Sequence, residues 1–324
     1  MTALYEVDCV SVDLPLPGGL LAAALPGARV RLNVLQDISL SLEPGETFGL
    51  VGESGSGKTT LARAMLGLTP VAEGVLRFRG QRVDARGATA ALCRSSAMMF
   101  QDPVASLSPR MRVGDLVTEP FVIHGMKMSD RRTRASELLG RVGLPAGMAA
   151  RFPHELSGGQ ARRVCVARAL ALDPALVIAD EPTAGLDVSV QGEILNLMAE
   201  LKRARGVSFM VITHNLAMIR HTAERIAILY LGRLVETGPT QAVFAAPAHP
   251  YTASLIASEP NPDPRKRRAD LAIRGEIPSL LRRPGGCEFH TRCPLAQPLC
   301  RQLPPALRMI APGRSVRCHL AGTE

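Results

Sequence analysis

Phosphate chemistry is written first into the stretch Gly52-Glu53-Ser54-Gly55-Ser56-Gly57-Lys58-Thr59-Thr60. Closely spaced glycines let consecutive backbone N–H groups turn inward on a polyanion, and a following helix N-terminus adds its positive dipole end. Lys58 suits the β- and γ-phosphates of a nucleoside triphosphate, and the Thr59 hydroxyl suits Mg²⁺. Cleaving a γ-phosphate also needs charge neutralisation, an oriented water and a proton acceptor. Asp180 is suited to the Mg²⁺ shell, and the adjacent Glu181 to polarising the water. Gln101 could touch both metal and water, and His214 could hydrogen-bond the γ-phosphate. Taken alone, His214 reads as a structural histidine and Glu181 equally as a helix-capping acid. Their shared position at strand ends favours the catalytic reading.

The elements that would position these groups can be read from the pattern around them. The apolar run Thr47–Val51 predicts a buried parallel strand and Thr60–Leu66 a helix, the context a phosphate loop requires. Ala175–Ala179 is unbroken and apolar, as in a strand buried on both faces, and it delivers Asp180 and Glu181 to its C-terminal end. In open α/β sheets that edge holds ligands. A helix over Val188–Arg205 follows, then a strand over Ser208–Ile212 that delivers His214 to the same edge, and another over Ile226–Tyr230. The front of the chain predicts a small antiparallel layer: strands over Leu4–Leu14, Val30–Leu42 and Gly74–Gly80, with a Pro/Gly-rich loop at 15–27. Ala97–Phe100 predicts a short strand leading to Gln101. Helical periodicity from about 112 to 170, broken near Gly125, Gly143-Leu144-Pro145 and Phe152-Pro153, predicts an inserted helical subdomain. Within it Ser157 stands as the cap of a helix beginning at Gly158.

Composition sets limits on the rest. The chain has 324 residues, 46% of them hydrophobic, which supports a sizeable core. With no Trp, three Tyr and eight Phe, that core must be built mainly of Leu, Val, Ala, Ile and Met. The net charge of +9 is spread along the chain except at Arg265–Arg268 and Arg282-Arg283, so it reads as a general arginine surplus without a nucleic-acid footprint. No apolar run reaches the roughly 18–20 residues of a membrane span, and the N-terminus lacks the pattern of a secretory leader. The expectation is a cytosolic chain attached to membranes only through partners. Seven cysteines argue against a disulfide framework. Cys9, Cys93 and Cys165 are expected to be buried as small apolar residues.

The set Gly52–Thr59, Gln101, Leu156–Gln160, Asp180-Glu181, Ala184-Gly185-Leu186-Asp187 and His214 resembles an ATP-binding-cassette (ABC) ATPase, with its Walker A, Q-loop, signature, Walker B, D-loop and H-loop in order. The resemblance implies an α/β P-loop fold with a mainly parallel core sheet, an N-terminal antiparallel layer and an inserted helical subdomain. It implies two cassettes closing head to tail on ATP and Mg²⁺, with Ser157, Gly158, Gly159, Gln160 and Asp187 facing the nucleotide held by the opposite Walker A. Phe100–Pro103 with Ser106–Arg110, Tyr230-Leu231-Gly232, His249–Thr252, Gly275–Ser279 and Gly286–Pro294 are similar to the oligopeptide, dipeptide and nickel uptake ATPases. That similarity implies an ATPase domain over 1–245, with its helical subdomain at about 102–170, and a C-terminal cysteine-containing extension over 246–324. It also implies a sister ATPase chain, two membrane permease subunits, an extracytoplasmic substrate-binding protein and a place at the cytoplasmic face of the membrane.

Three positions depart from the family pattern. Leu14 stands where an aromatic usually stacks on adenine, Asn215 where Asp commonly follows the histidine, and Gly185 where Ala is commoner. None removes a catalytic group. Rival readings are a soluble ABC protein of translation or DNA repair, which usually carries two cassettes or coiled-coil insertions, and a catalytically silent partner cassette. Cys287, Cys293, Cys300 and Cys318 suit zinc or an iron–sulfur cluster by ligand chemistry, but they lack the tight pair common in zinc sites. Free thiols are the third reading. The resemblance implies a [4Fe–4S] cluster, found in some members with this pattern.

Overall fold

The computed structural model describes residues 3–15, 31–83, 90–102, 105–259 and 275–322. The Pro/Gly-rich loop, apart from Pro15, and the basic run at 265–268 lie outside them. In chain order the elements are β1 (Tyr5–Pro15), β2 (Arg31–Leu42), β3 (Thr47–Val51), α1 (Lys58–Met65), β4 (Glu73–Phe78), β5 (Gln81–Arg82), α2 (Ala90–Ser95) and β6 (Ser96–Met99). Then come α3 (Val113–Ile123), α4 (Arg131–Gly140), α5 (Gly158–Ala169), β7 (Leu176–Asp180), α6 (Val188–Arg205), β8 (Ser208–Thr213) and α7 (Leu216–Thr222). The last are β9 (Arg225–Tyr230), β10 (Arg233–Pro239), α8 (Thr240–Ala245), α9 (Pro250–Ala257), α10 (Pro298–Gln302), β11 (Arg308–Ala311) and β12 (Arg314–Val316).

Two compact units result, each built from separated stretches of chain. The first comprises Met1–Leu42, Phe48–Gly87 and Thr213–Glu324. It holds an antiparallel sheet of order β2-β1-β4-β5 and the strands β11-β12-β10-β9-β3. β3 runs parallel to β9, Phe48 opposite Arg225 and Val51 opposite Ile228. All five residues of β3 are buried, as expected of a strand covered on both faces. β10 returns antiparallel on β9 through Leu231 and Gly232, both at positive φ, and β12 and β11 extend the same edge. The tail of the chain thus completes the sheet that carries the phosphate loop.

The second unit comprises Glu43–Thr47 and Ala88–Ile212. Its strands β6, β7 and β8 are parallel, with Ile178 at the centre facing Met98 on one side and Met210 on the other. Every residue of β7 and β8 is buried. The helices α3, α4 and α5 of the insertion occur with breaks at the expected places, and α6 has the expected bounds.

Aromatic residues are few but concentrated inside: Tyr5, Tyr230, Tyr251, Phe48, Phe209 and Phe289 are among the largest fully buried side chains. The expectation for the isolated cysteines is corrected. Cys9 and Cys93 are exposed and Cys165 is half-buried. Cys9 sits at φ 49° where the pairing of β1 slips between Val7 and Val10, a bulge that breaks the alternation of buried and exposed positions. Cys93 lies on the exposed side of the short helix α2, whose one buried residue is Leu92.

Candidate nucleotide site

The loop between β3 and α1 belongs to the first unit, and its glycines are required by geometry. A Cβ on Gly52 would lie 2.2 Å from the carbonyl oxygen of Leu229 and 2.8 Å from Ser56 Oγ. Gly57, at φ 103°, caps α1, and a Cβ there would lie 2.6 Å from a methyl of Leu35. Lys58 is nearly buried and folds back along the loop, donating to the carbonyls of Gly52 at 2.7 Å and Glu53 at 2.9 Å. Ser54 and Gly55 form the exposed tip, and Thr59 and Thr60 are half-buried on the first turn of α1. The result is a closed loop with an exposed rim and a lysine at its base, the arrangement that cradles phosphates. His214, also in this unit, is exposed. Asn215 beside it caps α7, accepting from the Met218 N–H at 3.0 Å, so the departure from Asp preserves a helix cap.

The second unit holds the other candidates. Asp180 ends β7 and is buried, and Glu181 follows half-buried at φ 49°, a backbone conformation disfavoured for any residue with a side chain. The Glu181 N–H donates to the carbonyl of Ile212 at 2.8 Å, tying this turn to β8. Ser157 caps α5 in a reciprocal box: its hydroxyl accepts from the Gln160 N–H and its own N–H donates to Gln160 Oε1. Gly159 packs against Val190, where a Cβ would come within 3.1 Å of a methyl. Asp187 caps α6 through Val190 N–H at 2.9 Å. Gln101 is exposed, and its carbonyl is held by Arg162.

Three comparisons with known proteins fit this geometry. Residues 35–184 match the family model described as ABC transporter, and residues 235–300 match the oligopeptide/dipeptide transporter, C-terminal region. The chain is 46% identical to a Brucella abortus (strain 2308) protein named for peptide import and ATP binding, over 91% of this chain and 88% of that one. It is 41% identical to the oligopeptide transport ATP-binding protein AppF of Bacillus subtilis (strain 168), over 98% and 97% of the two chains. The chain belongs to the ABC transporter ATP-binding proteins. Among solved structures, the dimeric ATP-binding cassette MJ0796 in a post-hydrolysis state with ADP and Pi matches with TM-score 0.63 and 27% identity, over 73% of this chain and 98% of that one.

As an ABC ATPase the chain is expected to hydrolyse ATP with Mg²⁺. A threonine hydroxyl and an aspartate carboxylate, Thr59 and Asp180, are oxygen donors of the kind Mg²⁺ accepts. The iron–sulfur expectation finds no support. Among the described residues no group of three or more His, Cys, Asp or Glu is placed to hold a metal. Burial pushes the Cys287 thiol up to about 12 and lifts Cys293 and Cys318 above the ordinary thiol value.

Arginines that sequence motifs leave anonymous hold much of this ABC cassette together. Arg162, on α5, is 1% exposed and donates to the carbonyls of Phe100, Gln101 and Ala184. One side chain thus joins the signature helix, the Q-loop and the segment after Glu181. In the first unit Arg317 donates to Asp37 at 2.8 Å, Arg314 to the fully buried Glu236 at 2.7 Å, and Arg292 to Glu53 within the phosphate loop. The only signal in the sequence was the surplus of arginine over acid.

Proposed function

We propose that this ABC ATPase is the energy-coupling subunit of a peptide importer, binding and hydrolysing ATP to drive uptake of di- or oligopeptides through partner membrane subunits. The observation that carries the reading is the identity, at 41–46% over most of the chain, with relatives named for peptide import and oligopeptide transport. The match of residues 235–300 to the oligopeptide/dipeptide C-terminal region supports it. In this reading residues 1–245 are the ATPase domain and 246–324 a transporter-type extension. Gly52 to Thr60 cradle the triphosphate, and Thr59, Gln101 and Asp180 surround Mg²⁺. Glu181 polarises the attacking water, His214 hydrogen-bonds the γ-phosphate and positions the water, and Gln101 touches both metal and water. Ser157, Gly158, Gly159, Gln160 and Asp187 face the nucleotide of a second cassette. The partners are that second cassette, two permease subunits and a substrate-binding protein outside the membrane, which places the chain at the cytoplasmic face. Among the described residues no helix is long and apolar enough to cross a membrane.

A docking face for a permease is supported by exposed apolar side chains in the helical insertion and just before it. Phe100 is 45% exposed, and Val122 and Ile123, at the end of α3, are 58% and 70% exposed. A cavity of about 170 Å³ lined by Phe100, Pro120 and His124 opens beside them. The test of the catalytic assignment is Glu181→Gln. Steady-state hydrolysis should fall to background while ATP binding, read by a fluorescent nucleotide analogue, stays at the wild-type level. Turnover equal to wild type would remove Glu181 from the water-orienting role.

A further inference from the structure

Glu53 is the second residue of the phosphate loop, and three groups hold it. Its carbonyl accepts from Lys58. Its backbone N–H donates to the hydroxyl of Tyr251 at 3.0 Å. Its carboxylate takes both arms of the Arg292 guanidinium, Nη1 to Oε2 at 2.7 Å and Nη2 to Oε1 at 2.9 Å. Lys58 belongs to the loop itself, but Tyr251 and Arg292 lie some two hundred residues further along the chain. We propose that Arg292 is a positioning residue of the nucleotide site, through which the C-terminal segment fixes the phosphate loop and neutralises the one carboxylate within it.

The geometry around Arg292 suits that task. Its side chain is 4% exposed, whereas that of Glu53 is 22% exposed. The guanidinium lies 5.8 Å from the centre of the Tyr230 ring and also donates to the Tyr230 hydroxyl at 3.4 Å. The Arg292 N–H donates to the carbonyl of Phe289. Phe289 in turn packs edge-on against Tyr230, with ring centres 5.3 Å apart, and tilted against Tyr251 at the same distance. A rigid aromatic platform therefore aims the guanidinium, and a two-pronged pair of this kind fixes orientation as well as charge. The hydrogen bonds from Arg292 to Glu53, more than offsetting burial, hold its proton more firmly than usual.

Electrostatics gives the pair its consequence. A triphosphate is a polyanion, and an uncompensated carboxylate in its cradle repels it. With Arg292 in place the loop presents N–H groups and Lys58 to the phosphates. Without it, the loop presents a freed negative charge and loses one of its braces. The proposal rests on the reading of residues 52–60 as the triphosphate cradle. A purely mechanical role for Arg292, anchoring the tail, would lower stability and leave nucleotide affinity unchanged.

The test uses the full chain and a double-mutant cycle: Arg292→Met, Glu53→Gln, their combination, and Arg292→Lys. Nucleotide Kd is read with a fluorescent ATP analogue, KM and kcat from hydrolysis, and the unfolding midpoint separately. Arg292→Met should raise Kd and KM for ATP at least about fivefold, in the range of typical couplings between sites, with kcat at saturating ATP within about twofold. Adding Glu53→Gln should recover most of that loss, because the repelling charge is gone. Arg292→Lys should fall between, keeping the charge without the planar grip. Equal nucleotide affinity in Arg292→Met and wild type, with only a lower unfolding midpoint, overturns the proposal, as does an additive double mutant. Should Arg292→Met not fold, wild-type affinity in Arg292→Lys overturns it equally. Failure of the wild-type chain itself to bind ATP would instead defeat the reading of the cradle.

Discussion

Replacing Arg162 by Met tests whether a single buried cation holds the second unit's functional loops together. The guanidinium donates at 3.2 Å to Phe100 O, 3.2 Å to Gln101 O and 3.0 Å to Ala184 O. Hydrogen bonds involving a charged group contribute about 1.5–3 kcal/mol each, so the three are worth about 5–9 kcal/mol gross. Against this stands the burial of a charge with no carboxylate among these acceptors, which costs several kcal/mol. Burial indeed pulls the guanidinium below its ordinary pKa, with Cys165 and Asp102 opposing the shift. Nε has no hydrogen-bond partner among the described residues. The net loss in Arg162→Met should be about 2–4 kcal/mol, because Met fills most of the volume while three carbonyls lose their donor. At about 2–4 °C per kcal/mol, the unfolding midpoint should drop by roughly 4–16 °C. Arg162→Lys should lose about half as much, since a point charge cannot span three acceptors in a plane. Thermal unfolding without nucleotide, followed by circular dichroism, measures both. A midpoint for Arg162→Met within a degree or two of wild type would refute the idea that this side chain ties the loops, and a deficit equal in Lys and Met would refute the geometric part of it.

Burial holds His249 neutral, its pKa pushed down to about 3, with a hydrogen bond to the backbone of Arg317 opposing the shift. An unfolded histidine takes up its proton near 6.5, so the unfolded chain gains protons first as the pH falls. The contribution is fully present above about pH 6.5 and is lost between about 6.5 and 3, amounting to about 2 kcal/mol by pH 5. His249→Asn retains an acceptor for the Tyr251 N–H and should show a shallower decline of stability from pH 7 to 5 in urea titrations; parallel curves would reject the assignment. Gly52→Ala places a methyl 2.2 Å from Leu229 O, a backbone atom that cannot yield cheaply. ATP affinity should fall by more than about tenfold, a shift of roughly 1.4 kcal/mol, and isothermal titration giving a wild-type Kd would show that the loop tolerates the side chain.

How much was legible in the sequence depended on how local the cause was. β3, β7 and β8 are buried along their whole length, so unbroken apolar runs announced them. The ends of α6 were equally plain, with Asp187 as its cap and Gly206, at φ 66°, as its stop. The phosphate loop was legible because its glycines answer to contacts within a few ångströms. Cys9 was misjudged because a bulge shifts which face a residue occupies, and alternation alone carries no mark of a bulge. β11 and β12 were missed because they are short and mostly unburied, and only the pairing of β12 with β10 and of β11 with β12 makes them strands. Arg162 and Arg292 were invisible for a related reason. An arginine's type says that it can bind an oxygen, and only the fold says which one.

The strand that presents the phosphate loop pairs with one that the ribosome makes much later. β3 lies against β9, and the whole helical insertion is translated between Val51 and Arg225. At about 5–20 residues per second, that interval is on the order of ten seconds or more. During it β3 emerges with an unsatisfied edge, and the Walker lysine follows on the first turn of α1. Gly52 packs against the carbonyl of Leu229 on β9, so the phosphate loop reaches its native packing only once β9 has been made.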